Sequence, residues 1–215
     1  MDPQLTEQEQ VEAIKKWWAE NGRSVIAGLV LGIAAVAGVR YWFHYQEQQS
    51  MAAGEIFARL QRAHDAGDSE GVLDAGTRLV TEYAGTPYAT LGAFAMARVR
   101  VDADNLEAAE RHLRWALEHA PHEGLEHLAR LRLGRVLLAA GRADEALALV
   151  SGPEPGGYAP DYAELRGDIL AAQGKAGEAR AAYDQALAGL ASGERRQAVE
   201  IKRDLLPPAP RGQDS

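Results

Sequence analysis

Residues 134–147, GRVLLAAGRADEAL, and residues 167–180, GDILAAQGKAGEAR, are one pattern written twice. Gly, Gly and Ala stand at 134, 141 and 146 in the first copy and at 167, 174 and 179 in the second, so each marker moves by 33 residues. One cycle earlier, residues 104–110, DNLEAAE, place Ala109 where Ala146 stands, 37 residues on. Each copy reads as a helix, a tight turn at a glycine, and a second helix. The small Ala in the second helix marks where the two helices cross closely. A unit of this size cannot bury its apolar stripe alone and must stack on its neighbours. The composition agrees with an all-α chain: after position 50 it is rich in Ala, Leu, Glu and Arg and poor in β-branched and aromatic residues.

These markers resemble the tetratricopeptide repeat. That repeat implies a large residue, then Gly or Ala, then another large residue in its first helix. Here the positions are Met96, Ala97 and Arg100; Leu133, Gly134 and Leu137; and Arg166, Gly167 and Leu170. It implies an Ala in the second helix, met by Ala109, Ala146 and Ala179, then a large residue and a further Ala, met by Leu113 and Ala116 and by Tyr183 and Ala186. Pro121 closes a repeat as the family's pattern implies. The departures are Arg100 at a core position, Ala93, Arg130 and Ala163 where an aromatic is usual, and a Gly/Pro-rich loop at 151–157 that leaves the preceding helix short. The resemblance implies a right-handed α-solenoid. Residues 51–84 read as an atypical repeat or a capping pair, and 194–206 as a capping helix with Val199, Ile201 and Leu205 on its apolar side. The end, 207–215, is Pro-rich and reads as disordered.

Ahead of the repeats lies Ser24–Phe43, SVIAGLVLGIAAVAGVRYWF, with no acid and one base, Arg40. As a helix it is roughly 30 Å long at about 1.5 Å per residue, which matches a bilayer core. A secretory signal and a buried core helix are the competing readings. The acidic 23-residue lead-in with its Trp pair argues against a signal, and so short a tail cannot cover a core helix. Lys15, Lys16 and Arg23 lie on one side, and Arg40 is the only base before Arg59 on the other, so the N-terminus is expected in the cytoplasm and the repeats across the membrane. Trp17 and Trp18 mark one interface, and Tyr41, Trp42 and Tyr45 the other. Gly28 and Gly32 form a G-x-x-x-G pair that would let another transmembrane helix approach closely; Gly and Ala are also simply common in such helices. The expected organisation is 1–23 cytoplasmic, 24–43 transmembrane, 44–206 periplasmic repeats and 207–215 tail.

The net charge of −8 argues against nucleic acid as the main ligand. The chain has no cysteine, which excludes a disulfide framework and a thiol nucleophile. Glu118, His119, His122, Glu123, Glu126 and His127 hold enough imidazoles and carboxylates to suggest zinc, but Pro121 and Gly124 break the helix between them and no H-E-x-x-H helix is present. A polar turn between repeats is the better reading. No phosphate-binding glycine loop or nucleophile elbow occurs, so no enzyme, cofactor or metal is expected.

Taken in order, Lys15-Lys-Trp-Trp18, a Gly-rich span ending Gly38-Val-Arg-Tyr-Trp42, the segment Thr81-Glu-Tyr-Ala-Gly-Thr-Pro-Tyr-Ala89 and the repeats resemble the YfgM family. The resemblance implies an inner-membrane protein with a periplasmic helical domain, an ancillary subunit of the SecYEG translocon that also associates with the membrane-anchored chaperone PpiD. It implies help to proteins leaving the translocon, and a link to envelope-stress regulation. Other readings are a scaffold for a different envelope assembly and a signalling regulator acting through the cytoplasmic tail. If first helices line a concave surface, Phe94, Arg98, Leu131, Arg135, Glu164 and Asp168 fall on the groove side, basic in the middle and acidic toward the end. Each of these could equally pack against a neighbouring helix or face water.

Overall fold

The computed structural model describes residues 7–152 and 156–207. The first six residues, Pro153 to Pro155 in the predicted loop, and the tail beyond Pro207 lie outside the described residues. The chain divides into two compact units, Met1–Gln49 and Ser50–Ser215. Helix α1, Glu7–Asp65, contributes residues to both.

In the first unit α1 is long and apolar enough, by length and composition, to cross a membrane. Its large apolar side chains face outward: Leu29, Leu31 and Ile33 are 62%, 70% and 61% exposed. A water-soluble helix would bury such residues, whereas a membrane helix presents them to lipid.

The second unit is a stack of helix pairs. After the end of α1 come α2 (Ser69–Glu82), α3 (Pro87–Asp102), α4 (Leu106–Glu118), α5 (Glu123–Ala139), α6 (Ala143–Val150), α7 (Ala159–Ala172), α8 (Ala176–Gly189) and α9 (Glu194–Asp204). No strand occurs among the described residues. The four turns within the pairs share one backbone device. Gly67, Asp104, Gly141 and Gly174 all have left-handed φ, at 71°, 55°, 76° and 75°. In each turn the next amide donates back into the last turn of the first helix, for example Asp68 N to Ala63 O at 2.8 Å and Arg142 N to Leu137 O at 2.8 Å. The segment 51–84 is therefore a full helix pair built on the repeat's own turn. Second helices and pair entries are capped where the sequence provides a cap: Asp68, Thr86 (followed by Pro87), Asn105 and His122 accept from the amides of Gly71, Ala89, Ala108 and Leu125.

The repeat positions form the core. Met96, Ala97, Leu133, Leu137, Ala109, Ala146, Ala179, Leu113, Tyr183, Ala116 and Ala186 are all buried. At two of them an added side chain would crowd a neighbour, most severely at 167. A Cβ on Gly134 would stand 2.9 Å from Leu165 Cδ2, and one on Gly167 would stand 2.6 Å from Tyr183 Cδ1. Arg100 is half-buried rather than part of the apolar core. Helix α6 is as short as the loop predicts, with only eight residues, and Tyr158 from the connection packs against the main core.

The capping helix differs from expectation in what holds it. Val199 is buried, but Ile201 and Leu205 are 59% and 79% exposed. The helix is instead fixed by charge. Lys202 Nζ donates to Glu164 at 2.8 Å and to Asp168 at 3.0 Å, and Arg195 reaches Asp161 at 2.7 Å. A similar junction ties the second pair to the third: Glu110, 13% exposed, accepts from Arg114 at 2.7 Å and from Arg142 at 2.6 Å.

Candidate protein-binding cleft

The first helices of the first three pairs, the end of α1 with α3 and α5, enclose two adjoining hollows of about 390 and 490 Å³. Phe94, Arg98 and Arg132 line both. The smaller hollow continues over Val101, Leu106 and Val136 to Arg135, and its wall is mostly carbon. The larger one opens toward Phe57, His64 and Asp65. The floor is Phe94, 4% exposed, with the Arg132 guanidinium 4.3 Å above its ring centroid. A guanidinium over an aromatic face is a cation–π contact that holds the arginine while leaving its N–H groups free for a ligand. Partial desolvation by the surrounding chain, and then the Arg135 charge, push the Arg132 pKa down.

The six predicted groove residues divide. Phe94, Arg98 and Arg135 meet at this cleft. Arg98 donates to Asp102 at 2.9 Å along its own helix. Leu131 is 1% exposed and belongs to the core; it does not face the groove, because α5 turns it inward one residue before Arg132. Glu164 and Asp168 are occupied by the capping helix. Burial raises the Glu164 pKa, but its hydrogen bonds and charge contacts with Lys202 and Arg195 outweigh that and hold it below the ordinary carboxylate value. Asp168 also accepts from the Tyr183 hydroxyl at 2.8 Å. Arg132 was missed from the sequence, although its position three residues before Arg135 puts both on one helix face.

The histidine-rich turn is distributed among structural roles. His119 stacks on Trp115 at 4.3 Å, His122 caps α5, and His127 pairs with the Tyr162 hydroxyl at 2.8 Å. Among the described residues no group of three or more His, Asp or Glu is arranged to hold a metal ion. His112, outside that turn on α4, is half-buried, and burial with the nearby Arg100 and Arg111 lowers its pKa. In the first unit Gly28, Gly32, Val36 and Arg40 line one shallow hollow along α1, and a Cβ at either glycine would meet nothing within 4 Å.

The tetratricopeptide repeat-like domain family matches residues 15–207. A protein of Escherichia coli K12 named ancillary SecYEG translocon subunit is 32% identical over 178 residues, 83% of this chain and 85% of that protein. The chain belongs to the YfgM family. Proteins of the same name from Neisseria gonorrhoeae, 28% identical over 96% of this chain and 100% of that one, and from Haemophilus influenzae, 28% identical over 85% and 89%, extend the likeness. No solved structure matches. The family match begins at Lys15, so it takes in the apolar helix as well as the repeats.

Proposed function

We propose that this chain is a membrane-tethered protein-interaction subunit that works beside the Sec translocon, the complex named in its relatives. Residues 24–43 anchor it in the inner membrane, 1–23 lie in the cytoplasm, and the repeats of 44–206 stand in the periplasm. There they assist proteins leaving the translocon, together with a membrane-anchored chaperone of the PpiD type. The observation that carries this reading is the union, in one chain, of an exposed apolar helix and a repeat domain with a lined cleft. A tether confines the cleft to the membrane surface and raises its effective concentration near partners there. Gly28 and Gly32 offer the span itself as a second contact.

Photo-cross-linking in intact membranes tests this. Cross-linkers at Arg98 and Arg135 are expected to capture periplasmic chaperone or emerging clients, and one at Gly28 a translocon helix. Reproducible capture of another envelope assembly, with no translocon component, overturns the reading. Reporters fused at Met1 and Ser215 test the topology, and a cytoplasmic C-terminus overturns it.

A further inference from the structure

Two arginines of the cleft, Arg132 and Arg135, stand without an acid partner, as do Arg59, Arg62, Arg100, Arg166 and Arg180 elsewhere in the domain, but among its described residues only these two lie beside an apolar hollow with no acid in its wall. On the outer helices several arginines are matched with acid: Arg78 with Glu82, Arg111 with Glu107, Arg142 with Glu110 and Glu145. Among the described residues neither Arg132 nor Arg135 has an ion pair, although the chain carries 31 acids to 23 bases. Two neighbouring guanidinium groups with no acid, on an acidic protein, repel each other and weaken the fold slightly unless something binds them. They flank an apolar hollow whose volume falls within the roughly 300–1,000 Å³ of ligand pockets. Asp65 lines the larger hollow with Phe57 and His64; Arg132 borders both hollows and Arg135 only the smaller one. Charge and shape thus give the cleft a direction.

We propose that this cleft binds a peptide segment in which a carboxylate stands beside a bulky apolar side chain. The apolar side chain enters the hollow between α3 and α5 against Val101, Leu106 and Val136. The carboxylate lies across Arg132 and Arg135, which supply a planar fork of N–H donors. Phe94 acts through Arg132: its ring fixes the guanidinium, so Phe94 is a positioning residue. Arg98, already satisfied in part by Asp102, contributes field more than contact. A basic segment is repelled at this end, which gives a sign to client or partner choice. The proposal rests on the protein-interaction reading above and narrows it to one partner chemistry.

The test uses the purified full chain in detergent micelles and a fluorescent ten-residue peptide containing two adjacent acids followed by Leu and Phe. Its companions carry Asn and Gln in place of the acids, or Ser in place of the apolar pair. By anisotropy the acidic apolar peptide is expected to bind about tenfold or more tighter than either companion, the range for losing a charge-assisted hydrogen bond. Its affinity should fall as salt is raised. Arg132→Gln and Arg135→Gln each lose this preference while keeping their circular dichroism, and Arg135→Glu shifts it toward a Lys-bearing peptide. Equal binding of the acid and amide peptides, no binding of any peptide, or an Arg132→Gln/Arg135→Gln double variant that binds normally overturns the proposal. Because the assay contains no translocon, failure here leaves the membrane cross-linking result to judge the wider reading separately.

Discussion

Replacing Gly167 by Ala is expected to destabilise the domain although Ala is the better helix former. Gly167 lies in the middle of α7, and a Cβ there would stand 2.5 Å from Tyr183 Cε1 and 2.6 Å from Cδ1. Carbon atoms rest at about 3.5–4.0 Å, so α7 and α8 would have to part by roughly 1 Å or the ring would have to swing. The ring is not free to swing. It is 3% exposed and its hydroxyl donates to Asp168 at 2.8 Å. Overpacking of this kind costs about 1–3 kcal/mol, and the gain in helix propensity offsets about 0.5–1 kcal/mol of it. The net loss is about 1–2 kcal/mol, and at about 2–4 °C per kcal/mol in a domain this size the midpoint falls by about 2–8 °C. The control is Gly177→Ala in α8, where nothing lies within 4 Å of the new methyl; it should be neutral or stabilise by up to about 1 kcal/mol. Urea and thermal unfolding by circular dichroism on the same preparation give both numbers. If Tyr183→Leu is added to Gly167→Ala, the two effects should depart from additivity by at least about 0.5 kcal/mol, since the smaller side chain makes room. Equal shifts for the two glycines would refute the close helix crossing, and with it the account of why the repeat places Gly at 134 and 167.

Asp104→Gly should stabilise by about 0.5–1 kcal/mol in urea unfolding, because its φ of 55° is the one left-handed turn position of the four not already glycine. Tyr162→Phe should cost about 1 kcal/mol by the same measurement, for the lost bond to His127. Stability should hold from pH 7 to pH 5 and decline as the pH falls below the ordinary carboxylate value of 4.5. Glu164 and Glu110 have folded pKa values below that, so their contribution is complete above it and lost as they protonate. Hydrogen exchange should show α9 releasing first, and Glu164→Gln should flatten its pH dependence. Gly28→Leu should leave the unfolding of the repeats unchanged and reduce capture by a cross-linker placed at Ile33 on the same face of the span.

What the sequence made legible was backbone chemistry. Gly141 and Gly174 announced their turns because a left-handed φ tolerates few other residues, and Ala109, Ala146 and Ala179 announced crossings because only a small side chain fits there. The turn at Gly67 belongs to the same series, but Leu60 and Val72 beside it blur the small-residue pattern, so the first pair looked atypical. The apolar helix was legible from length alone. The cap was half legible: Val199 follows the apolar stripe, while Lys202 and Arg195 find acids 31 to 38 residues away, a pairing that no local spacing encodes.

The same distinction explains why the cleft resisted prediction. A helix of known phase assigns each residue a direction, and that was enough to place Phe94, Arg98 and Arg135 together. It was not enough for Leu131, because one residue on a helix turns by about 100° and the boundary between groove and core falls between Leu131 and Arg132. Nor does phase say which arginines are already satisfied. Among the described residues the arginines at 78, 111, 114 and 142 are paired with acids, whereas those at 59, 62, 100, 166 and 180 are not. Arg132 and Arg135 are unpaired as well: no acid among the described residues lines the smaller hollow, and Asp65 of α1, at the larger hollow that Arg132 also borders, makes no ion pair with it. Arg132 is held over the Phe94 ring, and with Arg135 beside it the two guanidinium groups are open to a ligand.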